Sequence, residues 1–157
     1  MGMATRGQKF LRGFQVTDAE GNATFATIYP GWYQGRTVHI HMKVRTKAST
    51  GEAYEFTSQL FFDDALSDRI FSTVEAYHRT SARDIRNASD GIFRQSSSQL
   101  TLAPVKSGDG HTATFKLALD LSDAAVGRPD GGGRGNPGRR RGGAPFGGGR
   151  GTVQPPA

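Results

Sequence analysis

The sequence predicts a mainly β protein: a β-sandwich with one short helix and a disordered C-terminal tail. Three observations lead there. Apolar residues alternate with polar ones over several short runs, Asp/Gly-rich turns separate those runs, and only one stretch changes to helical spacing. The length of 157 residues suits a single domain with room for a core.

The elements follow in chain order. KFLRGFQV (9–16) and TFATIY (24–29) read as strands around the turn TDAEGNA. TVHIHMKVRT (37–46) alternates strictly, with Val38, Ile40, Met42 and Val44 on one face and His39, His41, Lys43 and Arg45 on the other. The apolar set is expected to anchor this strand in the core. AYEFTSQLFF (53–62) follows a TGE turn as the next strand. In DALSDRIFSTVEAY (64–77), Leu66, Ile70, Val74 and Tyr77 recur at helical spacing, with Asp63 or Asp64 as N-cap. Residues 78–97 are polar and read as a loop. SQLTLAPV (98–105) and HTATFKLALDL (111–121) read as two closing strands around a GDG turn. The packing rules for six strands and one helix point to a sandwich.

The net charge of +6 resides mostly in a tail. Residues 127–157 hold six Arg, one Asp and twelve Gly, whereas the other 126 residues carry 14 basic and 13 acidic side chains. The domain is therefore expected to span 1–126, followed by a Gly/Arg/Pro-rich tail over 127–157 that cannot bury enough surface to offset the entropy of ordering. Such a tail admits weak contact with RNA or another polyanion, with a solvated extension as the bland reading; nucleic acid is not the expected partner of the domain. No run of about 18 apolar residues occurs, so no membrane span is expected. MGMATRGQKF lacks the apolar core of a signal peptide. Cysteine is absent, which excludes disulfides and thiolate metal sites.

Chemistry concentrates in GWYQGRTVHIHMKV (31–44). On a strand, His39 and His41 project from one face, about 7 Å apart along the backbone, and can converge on one metal. H-x-H alone also fits two half-exposed histidines on a solvated strand face. No Glu follows the second His at cupin spacing, and no nearby acid completes a 2-His-1-carboxylate set for Fe(II). The nearby oxygen donors are the phenols Tyr29 and Tyr33, across a Pro-Gly turn. Phenolate is a hard anionic donor, so a His/Tyr set points to Fe(III). Arg36 alone reads more readily as a loop Arg in a surface ion pair than as a site residue. His78 and His111 have no partner spacing and read as surface residues. Asp63, Asp64 and Asp68 read as helix caps. Trp32 and Tyr29 read as core or as the lining of an aromatic cleft.

FLRGFQVTDAEGNATFATIYPGWYQGRTVHIHMKV, continuing through FTSQLFFDD and DIRNASDGIFRQ, resembles the intradiol ring-cleavage dioxygenases over residues 8–121, especially a bacterial and fungal branch that is often exported. The resemblance implies a β-sandwich that binds one non-haem Fe(III) through two Tyr and two His. It implies cleavage of catechols between the hydroxylated carbons, with both atoms of O2 entering a muconate-type diacid. Matched residue by residue, Tyr33 would be the tyrosinate that substrate displaces, and His39 and His41 the two imidazole ligands. Arg36 would stabilise charge developing on the ring, and Gln59 would be its partner on the next strand. DIRNASDGIF is expected to supply structural turns only. The family's other tyrosine ligand lies upstream of the FLRG strand and is expected before Met1; Tyr29 matches a position the family does not use for iron. With three of four ligands, the alternative is a truncated, non-catalytic β-sandwich paralogue. The sequence names neither the preferred catechol nor the oligomeric state nor the compartment.

Overall fold

The computed structural model describes residues 7, 8, 11–96 and 98–122. The tail expected over 127–157 lies outside the described residues. The chain divides into two units after Pro30.

In the first unit, the expected turn forms. Asp18 Oδ1 accepts from the backbone N–H of Glu20 at 3.1 Å and of Asn22 at 2.7 Å, and Asp18 N donates to Asn22 O at 2.9 Å. Gly21 supplies the left-handed position at φ 83°. The expected flanking strands do not form: residues 11–16 and 24–29 carry no strand, and Phe14 stays 88% exposed. Alternation marks a segment able to pair. A strand also needs a neighbour to take its backbone N–H and C=O groups, and no ladder forms along these residues.

The second unit is built on one antiparallel hairpin. Strand β1, His39–Lys47, pairs with β2, Ala53–Phe61, in a register that sets His39 opposite Phe61, His41 opposite Gln59 and Arg45 opposite Glu55. The connection closes through Ala48 N to Glu52 O at 2.7 Å, with Gly51 at φ 85°. Directly opposed residues share a face. One face therefore carries His39, His41, Lys43 and Arg45 with Glu55, Thr57, Gln59 and Phe61. The other carries Ile40, Met42 and Val44 with Tyr54, Phe56 and Leu60.

The two faces depart from a simple apolar-in, polar-out division. Val38 is fully buried, but Ile40, Met42 and Val44 are only half-buried, while His39 on the polar face is 8% exposed. The reason lies at the His39 end of the hairpin. Phe61 there is completely buried, with the Phe93 ring edge-on at 5.2 Å and the His39 ring at 6.1 Å. Residues 100–102 also run beside the end of β2: Phe61 N donates to Leu100 O and Leu102 N to Phe61 O, both at 2.8 Å. That parallel bridge at Thr101 is all the sheet pairing that 98–104 makes.

Helix α1, Asp64–Thr73, starts as expected, with Asp63 as N-cap accepting from Leu66 N at 3.0 Å. Leu66 and Ile70 pack inward, one turn apart. The helix stops before Val74 and Tyr77. Ser72 Oγ and Thr73 Oγ1 both donate to Arg69 O, at 3.0 and 2.8 Å, and Val74 turns extended into a 3-10 turn at Glu75–Tyr77. Hydroxyls that bond to the preceding turn, followed by a β-branched residue, weaken the end of a helix.

Within 78–97, expected as loop, a 3-10 turn at Asn87–Ser89 leads into helix α2, Gly91–Gln95. The GDG turn joins strands β3, Val105–Ser107, and β4, Gly110–Thr112. Of 111–121, only the first two residues are strand. The described residues form more strand than helix, in two separate two-stranded sheets. Among them, no helix is long and apolar enough to cross a membrane.

Candidate metal centre

Residues 31–37 enter β1 through a tight turn in which Gly35 sits at φ 86° and Arg36 N reaches Tyr33 O at 3.4 Å. The turn brings Tyr33 back over the start of β1. Tyr33 Oη lies 3.3 Å from His39 Nε2, and His39 Nε2 lies 3.3 Å from His41 Nε2. The rings meet edge-on, with centroids 5.6 Å apart for Tyr33 and His39 and 4.9 Å for the two histidines. Thus one phenol oxygen and one imidazole nitrogen each lie 3.3 Å from His39 Nε2.

The tautomer of His39 follows from its surroundings. Its Nδ1 lies 2.7 Å from Thr37 O, and a carbonyl only accepts, so Nδ1 carries the proton and donates. Nε2 is left with the lone pair, 3.3 Å from both Tyr33 Oη and His41 Nε2. Burial, helped by the positive charge of Arg36, lowers the His39 pKa, while the Thr37 contact opposes this. The imidazole therefore stays neutral to lower pH than an exposed histidine, the form a metal requires.

These donors fit a cation. Two adjacent ligands each about 2.1 Å from one metal are roughly 3 to 3.4 Å apart, and the two Nε2 atoms lie 3.3 Å apart. Among the described residues, no group of three or more His, Cys, Asp or Glu gathers elsewhere or here, so phenol is what makes this pair a three-donor set. Its hard oxygen and borderline nitrogens suit a highly charged ion such as Fe(III). Tyr29 belongs to the first unit.

Arg36 lies beside this set and is held at two nitrogens. Nη2 donates to Gln59 Oε1 at 2.6 Å, and Nε donates to Asp90 Oδ2 at 2.8 Å. Asp90 is 1% exposed at its side chain. Oδ2 also accepts from Thr37 N at 2.9 Å, while Oδ1 caps α2 by accepting from Ile92 N and Phe93 N, both at 2.9 Å. Burial alone would raise the Asp90 pKa; the Arg36 hydrogen bond, with those from Phe93 and Thr37, overcomes it and lowers the value to about 2.

Further residues of 79–90 hold the same turn. Arg79 Nη1 donates to Trp32 O at 2.8 Å, with its guanidinium 5.0 Å from the Trp32 ring centroid, so Trp32 is covered by a cation. Asp84 Oδ2 accepts from Gly35 N at 2.9 Å, and Asn87 Oδ1 from Thr37 Oγ1 at 2.6 Å. Asp64 and Asp68, expected as caps, instead pair with the buried Arg83, and Asp68 also with Arg86. His78 and His111 are exposed.

Sequence reasoning left Asp90, Asn87 and Asp84 out of the site. The cap signal in SDGIF was available locally, but the second use of Asp90, on a residue 54 positions earlier, has no local signature.

No family model matches this chain, and no curated protein matches it significantly. Among solved structures, an intradiol ring-cleavage dioxygenase from Tetranychus urticae is similar at 33% identity and a TM-score of 0.56, covering 68% of this chain and 51% of that one. The chain thus spans about half the length of that relative. On this likeness, and with a mainly β framework, the chain belongs to the intradiol ring-cleavage dioxygenase family.

Proposed function

We propose that this chain is a non-haem Fe(III)-dependent dioxygenase that opens catechol-type rings with O2 to muconate-type products. The observation that carries it is the placing of Tyr33 Oη and His41 Nε2 each 3.3 Å from His39 Nε2. Tyr33, His39 and His41 would hold the iron, and catechol and O2 would be the small-molecule partners. For residues 1–126, the family likeness supports the β-sandwich as the architecture.

What ferric iron supplies when bound is Lewis acidity, which draws electron density from a chelated catechol and readies its ring for O2. The protein's part follows from its own side chains. Tyr33 is 52% exposed, so its phenol can leave the His39 edge without opening the core, and its oxygen can take a catechol proton. His39, buried and tied to Thr37, stays in place while Tyr33 moves. Arg36 offers a fixed positive charge beside the donors, where negative charge would grow on the ring. Gln59 holds one of its nitrogens from β2.

The test is O2 uptake by the iron-loaded chain given catechol, with the product identified. One O2 consumed per ring and a muconate product are expected. A chain that neither holds iron nor takes up O2 would favour the non-catalytic paralogue lacking a complete iron site.

A further inference from the structure

We propose that Asp90 is the positioning residue for Arg36, an inference that rests on the dioxygenase reading of the Tyr33–His39–His41 site. The carboxylate is buried and uses both oxygens twice. Oδ1 takes two N–H groups of α2, and Oδ2 takes Arg36 Nε and Thr37 N. One side chain thus ties the start of a helix to the turn carrying the site arginine. Gln59 takes Nη2 from a different element, directly across the hairpin from His41.

A guanidinium is planar and rigid, so two anchors on Nε and Nη2 fix both its position and its plane. Among the described residues, Arg36 Nη1 makes no hydrogen bond, which leaves that nitrogen to a substrate oxygen. Rotating the plane would misdirect it while leaving the charge in place. Misplacement by about 1 Å costs a preorganised site roughly 100-fold in rate. Asp90 therefore acts through Arg36 and touches neither the donor set nor the substrate.

The test is a double-mutant cycle in the 157-residue chain with Asp90→Ser, Arg36→Met and the pair. Serine keeps an N-cap acceptor for α2 but cannot reach both partners as the carboxylate does. In iron-loaded protein, Asp90→Ser is expected to keep wild-type iron content and tyrosinate-to-iron absorption while kcat on catechol falls at least tenfold. The double variant is expected within twofold of Arg36→Met, since an unheld and an absent guanidinium are both lost. In metal-free protein, the Tm losses of the single variants are expected to be non-additive. If Asp90→Ser does not fold, Asp90→Asn, an equally good cap, replaces it in the same cycle.

Multiplicative losses in kcat with additive losses in Tm would overturn the inference, as would an Asp90→Ser enzyme with unchanged kcat. An iron-loaded wild type that does not consume O2 would overturn the dioxygenase reading, and this inference with it.

Discussion

The ring nitrogen Nδ1 of His39 lies 2.7 Å from the carbonyl oxygen of Thr37, and that contact decides which nitrogen of the ring faces the site. A backbone carbonyl two residues upstream orients the imidazole by local geometry alone. It leaves Nε2 as the lone-pair atom beside Tyr33 and His41.

A pH dependence follows. The folded-state pKa of His39 is lowered, chiefly by burial. The neutral ring is favoured on folding, so its contribution is fully present above the unfolded value near 6.5 and is lost as pH falls through the lower folded value. Thermal unfolding of metal-free protein should show stability declining over that window, and His39→Gln should flatten this part of the curve.

Asp90 gives a second, more acidic window. Its folded pKa of about 2 lies below the ordinary carboxylate value of 3.8. The stabilisation is present above about 4 and disappears as pH falls towards 2. At 1.36 kcal/mol per unit, the shift corresponds to about 2 kcal/mol. Asp90→Asn should lose about that much stability at pH 7 and little at pH 2, as measured by urea unfolding at both pH values.

Tyr33 should separate chemistry from stability. Its side chain is half exposed and its contacts lie at the site. Tyr33→Phe should change unfolding free energy by less than about 0.5 kcal/mol, the usual range for such surface positions. The same change should bleach most of the visible absorption of iron-loaded protein, since in the proposed centre this phenolate would be the charge-transfer donor.

Asp63 tests the local reading of the fold. Its carboxylate accepts from Leu66 N at the first turn of α1. Asp63→Ala should cost about 1 kcal/mol in chemical denaturation and leave iron binding unchanged.

The parts of the molecule legible in its sequence are those specified by short-range chemistry. The His39/His41 spacing on a strand, the cap at Asp63, the Asp18 turn and the TGE and GDG turns each depend on residues within a few positions of one another. The length of α1 was less legible, because side-chain hydroxyls of Ser72 and Thr73 compete at its end. Of the strands expected at 9–16 and 24–29, the described residues 11–16 and 24–29 carry none for a different reason: alternation describes a face, while a ladder needs a neighbour. Asp90 stayed hidden for the same reason, since its bond to Arg36 crosses 54 residues. Gln59 came into view through family likeness; its place opposite His41 is a matter of register.

The most direct measurement is a titration of the metal-free chain with Fe(III), following visible absorption and bound iron, for wild type and His39→Ala/His41→Ala. One iron per chain with a tyrosinate-to-iron band, both lost in the double variant, is the expected result. Wild-type protein that binds no iron, or iron whose binding and colour survive loss of both histidines, would contradict a metal centre built on Tyr33, His39 and His41.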